Sequence, residues 1–286
     1  MPIQKNFGII GGDFRQIYLA EKFLSSGYGS ILWGFNKLDN SKLLMQAPKI
    51  SNLISNSEYV ILPLPITRDG TSLNAPFSDK KIELNEEFWC SLESKVVFGG
   101  MIPSIKSLPK IKIYDYSERE EFKILNAIPS AEGAIKIALD QSSKTIFGSK
   151  CFVAGFGRIG KILSNRLKKF GAEVTVSARK SSDLAWIKAL GYKPLILSKN
   201  AGNLDYDFIF NTIPYIVFDS NMLAKCSKNA VIVDLASAPG GIDDEAARML
   251  GFEYIHALGI PGKLFSKSAS DIIYDTIKNI LAEENL

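Results

Sequence analysis

Short apolar runs alternate with amphipathic stretches along the chain. Residues 7–10, 30–33, 59–62, 95–98 and 112–114 read as buried strands, and an amphipathic run at 14–25 joins the first two. The pattern then repeats, with strand-like runs at 150–153, 173–176, 194–197, 208–210, 231–233 and 254–256. Strands separated by helical stretches predict parallel βαβ units, hence an α/β fold with two doubly wound Rossmann-like domains. Between the arrays, residues 129–141 place Ala131, Ala134, Ile135, Ala138 and Leu139 at helical spacing. They predict a connecting helix that opens at Pro129. A last amphipathic run, 269–281, puts Ile272, Ile273, Ile277 and Ile280 on one face. It is expected to return to the first domain. That domain would then comprise 1–126 with 265–286, and the second 127–264. Ligands in such sheets bind beyond the carboxyl ends of the strands, so a cleft between the two domains is the expected place for chemistry.

One junction carries more information than the rest. The apolar run 151–154 meets Gly155-Phe156-Gly157-Arg158-Ile159-Gly160, and an amphipathic run follows. G-x-G-x-x-G between a strand and a helix is the fingerprint of a dinucleotide site. Gly155 lets the turn close, Gly157 lets backbone approach a pyrophosphate, and Gly160 lets the helix sit close to the strand. The helix start then offers its unpaired N–H groups to the phosphates. An NAD site has Asp or Glu at the end of the next strand to hold the ribose 2′-hydroxyl. Here the run is Ser177-Ala178-Arg179-Lys180-Ser181-Ser182. A guanidinium cannot accept from a hydroxyl, but its fork suits a phosphate, with Ser177, Ser181 and Ser182 as further donors. The run predicts NADP over NAD. A solvated basic turn is the plainer alternative. Strand ends at Asn211-Thr212-Ile213-Pro214 and Leu235-Ala236-Ser237 fall where the nicotinamide ribose would lie, with main-chain contacts expected from Thr212, Ile213 and Ala236.

Composition narrows the class without naming it. Of 286 residues, 46% are hydrophobic and 22% charged, an ordinary globular balance. The net charge of +4 arises from 34 basic and 30 acidic residues, too scattered for nucleic acid. No apolar run reaches the ~18 residues of a membrane span, and the N-terminus opens straight into a strand rather than a signal peptide. Three cysteines, Cys90, Cys151 and Cys226, have no paired spacing, which points to a reducing cytoplasm. A single histidine, His256, and no Cys/His cluster argue against a metal site.

Several longer motifs add a resemblance. They are G-G-D-F-R-Q at 11–16, G-F-N-K-L-D at 34–39, E-R-E-E at 118–121 and N-A-I-P-S-A-E-G at 126–133. V-A-G-F-G-R-I-G at 153–160, A-R-K-S-S at 178–182, N-T-I-P at 211–214, D-L-A-S-A-P-G-G at 234–241 and L-G-I-P-G at 258–262 follow. In this order they resemble the family of dipicolinate synthase A subunits from sporulating bacteria, over nearly the whole chain. The loop 63–70 departs from the family's pattern. The resemblance implies an NAD(P)-dependent oxidoreductase subunit in the mother-cell cytoplasm, with the synthase's B subunit for partner. Its substrate is a cyclic imine dicarboxylate, dihydrodipicolinate or a hydroxylated precursor. A homodimer or larger assembly is expected by analogy with two-domain dehydrogenases.

Oxidising a dihydropyridine asks little of acid–base groups, because aromatisation drives hydride loss. The site must accept one proton and hold two carboxylates. Glu132, read as first-turn in a helix opening at Pro129, is the expected base; stabilising that helix start is its competing role. Ser130 either caps the same helix or binds a carboxylate. Lys267 and Ser268 open the last helix, where a carboxylate could sit or the cap could simply be exposed. Thr67 and Arg68 follow the strand at 59–62, and Arg68 is a carboxylate candidate. Asp13 and Arg15 follow the first strand beside a G-G-D turn that lacks a third glycine; Asp13 serves equally as an N-cap. His256 is either a structural histidine in a buried strand or a base. Two other readings stay open: a nucleotide-binding scaffold for a partner, and an alanine-dehydrogenase-like or 2-hydroxy-acid dehydrogenase, the latter needing a His–acid pair.

Overall fold

The computed structural model describes residues 5–38, 45–104, 110–197 and 202–286. Asp39, at the end of the second family motif, lies outside them. The chain divides into two compact units, Met1–Leu125 with Phe265–Leu286, and Asn126–Leu264.

The first unit holds β1 (Asn6–Ile10), α1 (Phe14–Ser25), β2 (Gly29–Trp33), α2 (Ile50–Ser55), β3 (Tyr59–Ile61), α3 (Glu86–Cys90), β4 (Val96–Gly99) and β5 (Lys112–Asp115). The strands are parallel in the order β2-β1-β3-β4-β5. Both faces of this sheet are covered, as parallel strands require. Phe7, Ile9, Tyr59 and Ile61 point into one core, and Ile10, Val60 and Leu62 into the other. Helix α4 (Glu120–Asp140) follows, with Pro129 inside it. The helix therefore opens at Glu120, not at Pro129. Proline removes one backbone donor but does not by itself prevent a helix from continuing.

The second unit holds β6 (Lys150–Ala154), α5 (Arg158–Lys169), β7 (Glu173–Ser177), α6 (Ser181–Ala189), β8 (Lys193–Leu195), β9 (Phe208–Asn211), α7 (Ser220–Leu223), β10 (Val231–Asp234), α8 (Asp244–Met249), β11 (Tyr254–His256) and α9 (Ile260–Leu264). Its parallel order is β11-β10-β9-β6-β7-β8. Strand order reverses between β6 and β9, which pair in register with Ala154 opposite Asn211. That reversal is where open α/β sheets bind ligands. Helix α10 (Ser266–Glu283) then packs on α1 in the first unit. Its Ile273, Ile277 and Ile280 join Phe7 and Phe23 in one core.

Candidate active site

The β6–α5 turn has the geometry the three glycines predict. Gly155 has φ +101°, in the region that disfavours side chains, and a Cβ there would meet the Thr212 hydroxyl at 2.4 Å. A Cβ on Gly160 would lie 2.2 Å from the Gly155 carbonyl oxygen, so α5 touches the turn at this point. A Cβ on Gly157 would meet nothing within 4 Å. Gly157 is the N-cap of α5 and supplies no side-chain cap. The first backbone bond of the helix runs from Lys161 N–H to the Gly157 carbonyl at 2.9 Å, so the amides of Ile159 and Gly160 precede it. Open space at Gly157 and the positive end of a 12-residue helix suit a pyrophosphate. Phe156 is buried under Lys161, whose ammonium lies 5.3 Å from the ring centre. Arg158 opens α5.

A cavity of about 440 Å³ extends from this turn along the end of β7. Gly155, Gly157, Arg179, Lys180, Asp183 and Tyr215 are among its lining residues. The Arg179 guanidinium lies over the Tyr215 ring at 5.4 Å, a stacking arrangement open to a flat nucleobase as well. Tyr215 and Asp183 escaped the motif-based reading, because one follows a strand end by four residues and the other lies in the first turn of α6. Ser177 also lines the cavity. It is 2% exposed, and its hydroxyl accepts the Gly155 N–H at 3.2 Å, tying the turn to β7.

At the end of β9, Thr212 and Ile213 also line this cavity. The amides at the ends of β9 and β10 bond internally. Thr212 N–H and its hydroxyl both donate to the Ala154 carbonyl, at 2.9 and 2.8 Å. Ile213 N–H donates to Asn211 Oδ1 at 3.1 Å, and Ala236 N–H to Asp234 Oδ1 at 3.0 Å. Asn211 and Asp234 are both buried and joined by a 2.8 Å bond, and Asp234 also accepts Gly241 N–H. Two carboxyl-end loops are thus fixed by one buried side-chain pair. Neighbouring Pro214 lines the cavity, and Ser237 is exposed beyond the buried Leu235. His256 turns Nε2 to the Ala236 carbonyl at 2.9 Å.

The expected substrate residues fare unevenly. Glu132 lies well inside α4, so no helix start favours its charge; its Oε1 accepts from Arg166 Nε at 3.2 Å. Ser130, also mid-helix, donates back to the Asn126 carbonyl at 2.8 Å and caps nothing. Asp13 is the N-cap of α1, in a capping box with Gln16. Its carboxylate also grips Arg15 through two bonds at 2.9 and 2.8 Å. Arg15, 8% exposed, donates onward to the Leu64 carbonyl, so both residues are committed to the fold. The Thr67 hydroxyl accepts Gly70 N–H and donates to Asp69, closing its own loop. Arg68 is exposed and lines a second cavity, in the first unit. Lys267 and Ser268 are exposed in the first turn of α10.

Burial raises the Cys151 thiol to about 12 and Cys226 to about 11, which leaves both unreactive. Among the described residues no cluster of His, Cys, Asp or Glu could hold a metal. None of the described helices is long and apolar enough to cross a membrane.

Residues 6–111 match the family model for the N-terminal domain of the dipicolinate synthase A subunit. Residues 130–249 match that of the D-isomer specific 2-hydroxyacid dehydrogenase NAD binding domain. The dipicolinate synthase A subunit of Bacillus subtilis (strain 168) is 30% identical over 282 residues, 96% of this chain and 95% of that one. The chain belongs to the family of dipicolinate synthase A subunits. The crystal structure of the family member from Bacillus halodurans superposes with TM-score 0.83 at 30% identity, covering 97% of this chain and 98% of that one. The family member from Bacillus subtilis gives 0.81 at 29%, covering 99% and 97%. As a family member with a dehydrogenase NAD-binding domain, the chain is an NAD(P)-dependent oxidoreductase with a nicotinamide dinucleotide for cofactor.

Proposed function

We propose that this chain oxidises dihydrodipicolinate, or its hydroxylated precursor, to dipicolinate with NADP, acting with the synthase's B subunit in the cytoplasm of the mother cell of a sporulating bacterium. Relationship to the dipicolinate synthase family supports the reaction. The observation that carries the cofactor choice is Arg179. It stands at the end of β7 where an NAD enzyme has an acid, and it lines the cavity beside the glycine turn. Lys180 joins it, and α6 starts at Ser181 with no side-chain cap. Two cations and a helix start favour a 2′-phosphate there. Asp183 is the single carboxylate among the described lining residues, and it is the group a 2′-hydroxyl would use instead.

A bound nicotinamide would supply a hydride acceptor, and loss of hydride from the substrate ring would leave one proton for the protein or water. The chain's own residues would hold the cofactor's phosphates at α5 and its adenosine end beside Arg179 and Tyr215, while Asn211 and Asp234 close the ends of β9 and β10. Glu132 is the proposed proton acceptor, with one oxygen held by Arg166. Lys267 and Arg68 are the proposed carboxylate partners.

Purified chain mixed with NADP⁺ and fresh dihydrodipicolinate should produce NADPH and the ultraviolet absorbance of dipicolinate together. Dipicolinate that forms only once the B subunit is added, with no NADPH formed beside it, would favour a nucleotide-binding scaffold instead. Arg179→Ala should weaken NADPH binding by about tenfold or more, since charge-assisted bonds contribute roughly 1.5–3 kcal/mol, and leave NADH binding nearly unchanged. Equal or tighter NADH binding by the wild type would sink the NADP assignment.

A further inference from the structure

The first unit carries a second cavity of about 440 Å³, and its lining is rich in cations. Lys37, Arg68, Lys80 and Lys81 face it, against the carboxylates of Asp69 and Asp79. Asp69 is already spent. It accepts Thr71 N–H at 2.9 Å, Ser72 N–H at 2.7 Å and the Ser72 hydroxyl at 2.6 Å, and Lys81 lies 3.5 Å away. Those bonds hold its carboxyl far below the usual carboxylate range. Among the described residues, no acid pairs with Lys37, Lys80 or Arg68.

Arg68 is held in an unusual way. Asn74 is 9% exposed, and its Nδ2 donates to the Pro65 carbonyl at 3.2 Å. That bond fixes which end of the amide is oxygen, and Oδ1 accepts from Arg68 Nε at 3.1 Å. The backbone of Asn74 is pinned too, its N–H donating to the Ile66 carbonyl at 2.7 Å. Arg68 is therefore anchored by its inner nitrogen. The two outer nitrogens, which make the paired contact with a carboxylate, are left for a ligand. Sequence spacing held no hint of this, because Asn74 is six residues from Arg68 and only the loop's fold brings them together.

We infer that this cavity binds a small dicarboxylate, with one carboxylate on the Arg68 fork, the other in the field of Lys37 and Lys80, and Asn74 as the residue that positions Arg68. The inference rests on the substrate class proposed above and says which part of the chain reads it. Two carboxylates on one small ring match several unpaired cations around a cavity of this size better than a single anion does.

Calorimetric titration of the full chain with dipicolinate, picolinate and inorganic phosphate tests it. Wild type should bind dipicolinate more tightly than picolinate or phosphate. Arg68→Ala should weaken dipicolinate at least tenfold and shrink its advantage over picolinate. Asn74→Ala should weaken it about threefold. The double variant should bind no more weakly than Arg68→Ala alone, because Asn74 acts through Arg68. NADPH affinity should stay put in all three variants, and the melting temperature in Arg68→Ala, as both should in a Lys136→Ala control; Asn74→Ala, which also loses the bond to the Pro65 carbonyl, should melt somewhat lower. Dipicolinate binding that survives Arg68→Ala, phosphate binding as tight as dipicolinate, or no dipicolinate binding by wild type would each overturn the inference. If Arg68-dependent binding holds but no dipicolinate is ever formed, the proposed reaction fails and the pocket stands. If turnover and KM survive Arg68→Ala, the reverse is true.

Discussion

The β1–α1 and β6–α5 turns start from the same plan and end with opposite chemistry. Each follows the first strand of a parallel sheet with glycine at the bend and a 12-residue helix beyond it. In the first unit the helix start is filled from within: Asp13 caps it, Gln16 returns the favour, and Arg15 folds back onto Asp13. In the second the cap position is Gly157, with no side chain to fill the space. A helix N-terminus attracts one negative group. Where the protein supplies its own carboxylate, no phosphate can follow; where it supplies none, one can.

The sharpest test of the filled turn is removal of its carboxylate. Asp13→Ala should destabilise the protein by about 3 kcal/mol, because it strips the cap and strands a nearly buried Arg15. Asp13→Asn keeps a capping oxygen and should cost clearly less. Urea unfolding monitored by far-ultraviolet circular dichroism would measure both, and equal losses would mean that the cap contributes nothing beyond the ion pair. The converse change copies the first turn into the second. Gly157→Asp should leave stability within a few tenths of a kcal/mol while raising the NADPH dissociation constant by about tenfold or more, roughly 1.4 kcal/mol. Undiminished NADPH binding by that variant would remove the helix start from the cofactor site.

A smaller effect concerns the amino ends of the two central strands of the second sheet, β6 and β9, where a carboxylate is spent on the fold. Asp207 accepts Lys150 N–H at 2.8 Å and pairs with Lys144. The Lys144 ammonium, foremost, holds its carboxyl below the ordinary value. A depressed folded value gives stability that is present above the unfolded pKa and is lost as pH falls through the folded one. Asp207→Asn should therefore lower stability by about 0.5 kcal/mol at pH 7 and flatten the acid limb of the stability profile below about pH 4. An unchanged acid limb would assign it to other groups.

Much of this was legible in the chain because periodicity and glycine spacing report local geometry. The strands of both sheets lie where the apolar runs put them, to within a residue or two at most ends, and G-F-G-R-I-G marked the turn. Failures came where a residue's role depends on partners distant in sequence. Pro129 looked like a helix start because proline favours that position, yet tertiary packing carries α4 through it. The glycine motif said nothing of Tyr215, which reaches Arg179 only after the fold is made. Thr212 and Ala236 sat at the right strand ends, but nothing in their identity revealed that Asn211 and Asp234 would claim their neighbourhood's amides.

The route of the chain also dictates an order of assembly. Helix α10, which completes the core around Phe7 and Phe23, is made after every residue of the second unit. Until α10 is made the first sheet lacks one wall, whereas the nucleotide-binding unit already has every residue of its own. A released chain truncated after residue 264 should therefore show a protease-resistant second unit and a first unit that is still cut.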